Sequence, residues 1–342
     1  MRLDSPGQAE GERPIHALLV CHAGAEIGLG HLTRSLVVAD ALRRHLAADV
    51  RLLIQGENVR RGALTSFAHR FVSLQTDLGR AIVDETASAK PELVIFDCHP
   101  RLLPADVPAL LSSLRERRIR IIGVDCLLDH CNALDLVWIP SFHIDPARLA
   151  HCQAPVHFGW DSFLLRRTHR AGAWSPGGKV LVLTGGADVA RLGRSLPDRL
   201  DAALPQRTEI AWVRGPYAPA PILPVSPRLQ WRVLDAPEGL DDLIVETDYA
   251  LTVFGVSCFE LLQYGVPTVV FSPYGDKDDL ELAGLAEEQV AWVADGAEEA
   301  VQRLRKLMAD DSAAALLAQR SVTRLSVRGA DRLAERVRTL FG

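Results

Sequence analysis

What the 342-residue chain lacks narrows its function first. There is no basic surplus: 38 Lys and Arg stand against 43 Asp and Glu, a net charge of −5. Proteins that coat nucleic acid carry a marked positive excess, so no nucleic-acid partner is expected. Apolar runs such as Leu251–Phe254 and Val266–Phe271 are far too short to cross a bilayer. The first residues, Met1-Arg2-Leu3-Asp4-Ser5-Pro6, are polar and hold no apolar stretch of a secretory signal. A cytoplasmic location without a membrane span is the resulting expectation. None of the six cysteines (21, 98, 126, 131, 152 and 258) forms a CxxC pair, and buried free thiols are expected rather than a disulfide framework. HExxH and Cys-rich spacings are absent, so neither a metal nor another cofactor is expected.

What is present is enough apolar sequence for about two domains of roughly 150 residues. Hydrophobic residues make up 48% and charged residues 24%, which excludes wholesale disorder. Residues 1–14 read as a loose leader ending at Pro14. Short continuous apolar runs then alternate with helical periodicity. Strands are expected at His16–Cys21, Val50–Ile54, Phe71–Leu74, Leu93–Phe96, Arg120–Val124 and Leu136–Ile139. Such runs suit parallel strands covered on both faces by helices. The first domain is placed at 15–170. A Gly, Pro and Ser cluster at 171–178 reads as the linker, and a second domain follows at 179–325. It opens with a strand at Lys179–Leu183 and a helix from Val189 to Ala203. Residues 215–227 hold five prolines and read as coil. Helices are expected at 237–246 and 257–264, and a terminal helix at 326–342 is placed to pack back on the first domain. Two open α/β halves facing each other enclose a cleft, with ligands beyond the carboxyl ends of the strands.

Each half begins strand, glycine-rich loop, helix. In the first, Gly28 and Gly30 allow tight turning and close backbone approach, and the following helix offers free N–H groups to an anion. No Gly-Lys-Ser/Thr follows, so this is not a Walker loop. His31 stands at the helix start, where the dipole favours a neutral imidazole able to accept a proton. Arg34, one turn on, is placed to bind a phosphate or a carboxylate of the opposite wall. Asp97 and Asp125 each end a strand; either can orient His31, hold a sugar hydroxyl or cap nearby amides. In the second half, Gly185 and Gly186 repeat the loop chemistry. The segment Gly255-Val256-Ser257-Cys258-Phe259-Glu260 has two readings. Ser257 and Glu260 have the spacing of a capping box; alternatively the segment's amides hold a diphosphate while Glu260 accepts both hydroxyls of a ribose.

These segments resemble the GT-B superfamily of nucleotide-sugar enzymes. Within it the resemblance is to the UDP-sugar hydrolases of pseudaminic acid biosynthesis and related spore-coat polysaccharide proteins. It rests on Gly28-Leu29-Gly30-His31-Leu32-Thr33-Arg34, on the Asp125 strand end and on Phe158-Gly159-Trp160-Asp161-Ser162-Phe163-Leu164-Leu165-Arg166. Leu183–Asp188 and Gly255–Pro267 complete it. In order, the motifs span most of residues 15–295, and they are partly shared with the lipid-linked GlcNAc transferase of peptidoglycan synthesis. The resemblance implies two Rossmann-like α/β domains across a cleft and a UDP-linked sugar as ligand. His31 would activate water, and Gly185, Gly186, Ser257 and Glu260 would bind the uridine diphosphate. Where the family has an Asn-Gln pair, this chain has Asp278 and Asp279, acceptors in place of donors. The expected activity is hydrolysis of a UDP-sugar to UDP and free sugar. A glycosyltransferase using a nucleotide-sugar donor is the alternative, and a non-catalytic sugar-nucleotide binding protein is the third reading.

Overall fold

A computed structural model of the protein describes residues 13–25, 27–59 and 61–342, so almost all of the expected leader lies outside the described residues. Two all-parallel sheets organise the chain. The first comprises β1 (His16–Ala23), β2 (Asp49–Gly56), β3 (Ala68–Val72), β4 (Leu93–Asp97), β5 (Arg120–Val124), β6 (Leu136–Trp138) and β7 (Val156–His157). Their spatial order is β3-β2-β1-β4-β5-β6-β7. Helices α1 (Gly30–Leu46), α2 (Leu78–Ala89) and α3 (Val107–Glu116) connect them. Both faces are covered, which is why β4 is buried at every residue and reads as one apolar run.

The second sheet repeats the plan. It holds β8 (Lys179–Leu183), β9 (Glu209–Arg214), β10 (Gln230–Asp235), β11 (Tyr249–Val253), β12 (Thr268–Phe271) and β13 (Trp292–Val293), in the order β10-β9-β8-β11-β12-β13. Around it lie α4 (Leu196–Ala203), α5 (Asp241–Val245), α6 (Val256–Leu262), α7 (Asp279–Glu287), α8 (Ala297–Leu307) and α9 (Asp311–Arg324). The last helix, α10 (Gly329–Phe341), returns to the first domain, where Ala330, Leu333, Ala334 and Val337 share a core with Leu32, Ala39 and Leu42 of α1. Arg44 of α1 pairs with Asp331 at 2.8 Å on that contact.

Strand order reverses at β1/β4 in one sheet and at β8/β11 in the other, and such reversals open a crevice at the strand ends. Register decides what meets there. Cys21 pairs with Asp97, which brings the loop after β1 beside the end of β4. Leu183 pairs with Thr252, which brings Gly185 and Gly186 beside the 255–260 segment.

Two expectations need correction, and two strands were missed. The helix expected at Val189–Ala203 is a turn, a single 3-10 turn at Leu192–Arg194, and then α4 from Leu196. Asp188, at φ 45°, reverses the chain, and its carboxylate accepts from the amides of Leu192 (2.8 Å) and Gly193 (2.9 Å) in place of helix bonds. The helix expected at 237–246 is reduced to α5, which starts only after Gly239. Strands β7 and β13 were not anticipated; two residues each are too short to carry a periodic signal.

Candidate active site at the interdomain cleft

The loop after β1 closes on itself. Gly28 donates to the Gly24 carbonyl at 2.7 Å, and Gly24 donates back at 3.2 Å. Gly28 needs φ +81°, a left-handed conformation that a side chain resists. Helix α1 follows with Leu29 at its N-cap, no capping side chain and no acidic residue in the first turn. Its first amides therefore remain free to face an anion.

His31, the second residue of α1, is held by the end of β4. Its Nδ1 lies 2.6 Å from Oδ1 of Asp97. Arg34 grips the same carboxylate in bidentate fashion, Nε to Oδ2 at 3.0 Å and Nη2 to Oδ1 at 2.6 Å. Asp97 is only 2% exposed, yet it is held below its usual carboxylate range. Burial opposes ionisation, but the Arg34 charge and the hydrogen bond from His31 outweigh it. Arg34 Nη2 also lies 3.1 Å from Nδ1, but the ionised Asp97, which only accepts, is nearer at 2.6 Å, so the imidazole proton is assigned to Nδ1 and Nε2 keeps its lone pair. Arg34 is thereby committed to a carboxylate of its own domain, not to a phosphate or the opposite wall as the sequence suggested.

The neighbouring groups differ in role. Asp125 directly follows β5 at φ 51°, and its carboxylate has no hydrogen-bond partner among the described residues. Asp125 is exposed to solvent, yet desolvation by the groups packed around its carboxyl raises its pKa, and the Arg34 charge partly opposes this. Of the two strand-end aspartates, Asp97 and not Asp125 meets His31. His22 is fully buried, accepts the His99 amide at Nδ1 (2.9 Å) and meets Gln55 Oε1 through Nε2 (3.1 Å). Burial pushes its pKa down to about 4, and it serves as a neutral strut. The rings of His22 and His99 stand 6.5 Å and 6.2 Å from that of His31.

In the second domain Gly185 has φ +84°. A Cβ on Gly215 would lie 2.4 Å from the carbonyl oxygens of both Gly185 and Gly186, so the end of β9 must be glycine for the loop to sit there. No sequence argument singled out Gly215; its only signal is its place between β9 and the proline-rich coil. The Thr184 hydroxyl beside it is buried without a hydrogen-bond partner. Gly255 (φ +153°) occupies the N-cap of α6, where no side chain caps the helix. Ser257 is already inside the helix, so the capping-box reading fails. Burial and then the Asp241 charge push Glu260 up to about 7, with the Ser257 hydroxyl partly offsetting them.

Two further expectations are not met in the cleft. Cys258 is fully buried among Phe259, Leu262 and their neighbours, and burial lifts its thiol to about 12. It does not reach the cleft. Asp278 accepts from Ser272 Oγ at 2.5 Å, and Asp279 is exposed at the start of α7; neither lines the cavity described next.

Between the domains lies a cavity of about 900 Å³. Gly28, Gly30 and Thr33 face it from one side; Gly185, Gly186, Ser257 and Glu260 face it from the other. Arg166, Arg167 and Arg328 add positive charge to its wall. The lining passes through Gly30 and Thr33 but omits His31, so the cavity and the His31–Asp97–Arg34 cluster are neighbours joined at the glycine loop. A clasp crosses the cleft at one end: Arg61 donates to the Glu238 carbonyl (3.1 Å) and the Gly62 amide to Glu238 Oε1 (3.2 Å). Elsewhere an aromatic joint links the domains. Phe142 stacks on Trp160 at 4.5 Å, and Phe163 stacks on Phe259 at 4.0 Å. Among the described residues no three His, Cys, Asp or Glu side chains gather as a metal site, and no helix is long and apolar enough to cross a membrane.

No protein-family model and no curated protein matches the sequence. Solved structures do match. MurG of Acinetobacter baumannii superposes with a TM-score of 0.65 at 16% identity, covering 95% of this chain and 100% of its own. UGT2 of Phytolacca americana, complexed with UDP-2-fluoro-glucose and pterostilbene, gives 0.64 at 13%, covering 96% and 100%. The glycosyltransferase SnogD of Streptomyces nogalater gives 0.62 at 16%, covering 96% and 100%.

The fold is GT-B. These superposed structures give no support to the pseudaminic-acid hydrolases in particular. They are almost all glycosyltransferases, and this corrects the hydrolase expectation.

Proposed function

We propose that the protein is a glycosyltransferase that moves a sugar from a nucleotide-diphosphate donor, UDP-linked, to a hydroxyl acceptor, with His31 as the base. The observation that carries this reading is the 2.6 Å contact of His31 Nδ1 with Asp97, which leaves Nε2 free in a cluster joined through the glycine loop to a cavity large enough for a nucleotide sugar. The cavity's construction supports a diphosphate: free amides at α1, glycine loops on both walls and arginines along one side. As the anomeric bond breaks, negative charge grows on the departing diphosphate, and fixed dipoles favour that charge. Glu260, on the opposite wall, is assigned to the ribose hydroxyls. His31 takes the proton of the acceptor hydroxyl as it attacks the anomeric carbon. Asp125, unpartnered beside the cluster, is assigned to a hydroxyl of the acceptor or the transferred sugar.

The test is a panel of UDP-, GDP-, CMP- and TDP-sugars, each incubated with phenol, sugar and lipid-linked hydroxyl acceptors, with mass detection of products. A glycosylated acceptor formed from a UDP-sugar supports the reading. Absence of any glycosylated product across the panel, with the donors bound and intact, contradicts it.

A further inference from the structure

The six cysteines differ sharply in setting. Cys21, Cys98, Cys126 and Cys258 are at most 2% exposed, and the thiols of Cys98 and Cys126 point at the carbonyls of Val20 (3.5 Å) and Phe96 (3.3 Å). Cys152 alone among the six is partly open to solvent. The turn that carries Cys131 is sewn to the segment that carries Cys152 by Asn132. Its Nδ2 donates to the His151 carbonyl at 3.0 Å, and its Oδ1 accepts from the Gln153 amide at 2.7 Å. A third bond, His151 Nε2 to the Leu128 carbonyl at 3.1 Å, closes the same seam. Residues on both sides of Cys152 are thus pinned to residues on both sides of Cys131. The two side chains pack in one core cluster, where the Cys131 thiol faces Asn132 Oδ1 and the Cys152 thiol faces the Ala154 carbonyl, each at 3.9 Å.

We propose that Cys131 and Cys152 are a dithiol oxidation site that closes to a reversible disulfide in response to a peroxide. Exposure sets the order of events. Cys152 is the reachable sulfur; Cys131 is 1% exposed, and burial together with the Cys152 thiol lifts it to about 11. The Cys152 thiolate attacks one peroxide oxygen, the O–O bond breaks, and a sulfenic acid and one water result. Cys131 sulfur then attacks the Cys152 sulfur. The S–S bond forms, the S–O bond breaks, and the hydroxyl leaves as water with the Cys131 proton. Two thiols and one hydrogen peroxide become one disulfide and two waters. The bridge closes residues 131–152, which contain β6 and Phe142, the ring that seats on Trp160 in the interdomain joint. This thiol chemistry is independent of any glycosyl transfer in the cleft.

The experiment uses the full chain, reduced and then exposed to hydrogen peroxide, with free thiols counted after denaturation. The expected count falls from six to four per chain, the protein stays monomeric on a non-reducing gel, and peptide mapping links 131 to 152. Dithiothreitol restores all six. In Cys152→Ser the five remaining thiols survive the same exposure. In Cys131→Ser, Cys152 stops at the sulfenic acid, which dimedone traps. A wild-type count that stays at six, a disulfide mapped to other cysteines, or thiol loss in Cys152→Ser overturns the inference.

Discussion

Asp97 holds His31 by the Nδ1 atom at 2.6 Å, and Arg34 clamps both oxygens of the same carboxylate, sharing Oδ1 with the imidazole. One buried anion therefore fixes both the tautomer and the orientation of the imidazole. Register explains why it can. Cys21 pairs with Asp97 across β1 and β4, so the end of β4 lies under the loop that starts α1.

Replacing His31 with Ala removes the proton acceptor without touching the cavity wall. Turnover falls by about 10²- to 10⁴-fold, the range for one positioned base. UDP affinity, read by calorimetry, stays within a few-fold. A near-wild-type rate removes His31 from the chemistry.

Asp97→Asn leaves the Arg34 guanidinium buried without its counter-charge. Breaking a buried pair in this way costs about 3–5 kcal/mol, which denaturant unfolding measures. Activity falls as well, since the amide no longer selects the Nδ1–H tautomer. The sign of the pH dependence follows from the lowered Asp97 pKa. This residue's contribution to stability is present above the ordinary carboxylate pKa and is lost as pH falls toward the lower folded value. The Asp97→Asn variant loses that part of the acid sensitivity.

Glu260 behaves in the opposite sense. Its pKa of about 7 lies above the unfolded value of 4.5, so its contribution to stability is full below 4.5 and is lost as pH rises through 7. Ribose hydroxyls donate to the carboxylate form, so UDP binding near neutral pH releases protons. Calorimetry in buffers of different ionisation heat reads this release directly. Glu260→Gln abolishes it and weakens UDP binding; unchanged affinity and unchanged proton release separate Glu260 from the ribose.

Gly215→Ala drives a methyl group against the Gly185 and Gly186 carbonyls, at an initial separation of 2.4 Å. The second glycine loop must shift. UDP affinity is expected to fall by at least about 10-fold, roughly 1.4 kcal/mol, while circular dichroism shows the fold retained. Retained affinity shows that the loop does not carry the diphosphate.

Much of the fold was legible because both sheets are parallel and covered on both faces. Runs such as Leu93–Phe96 have no polar side to blur them, and the glycines at 28, 30, 185 and 186 mark the turns out of the first strands. The legible part stopped at long-range pairing. Asp97 and Asp125 look equivalent in the sequence, each ending an apolar strand. What separates them is the φ of 51° at Asp125 and the alignment of β4, not β5, beside β1. Asp188 hid the true start of α4 because a side chain that captures two amides leaves no periodic trace. Cys258 shares a motif with Ser257 and Glu260 yet points into the core, since neighbouring positions on a helix face different directions. Hydrolysis and transfer differ in what occupies the acceptor pocket, and no local motif encodes that.

The rate of UDP release from a UDP-sugar, compared with and without a glycosylatable hydroxyl acceptor in the wild type and in His31→Ala, tests the central claim most directly. The account predicts release that depends on acceptor and collapses in His31→Ala. Release that is as fast without acceptor, or unchanged in His31→Ala, contradicts it.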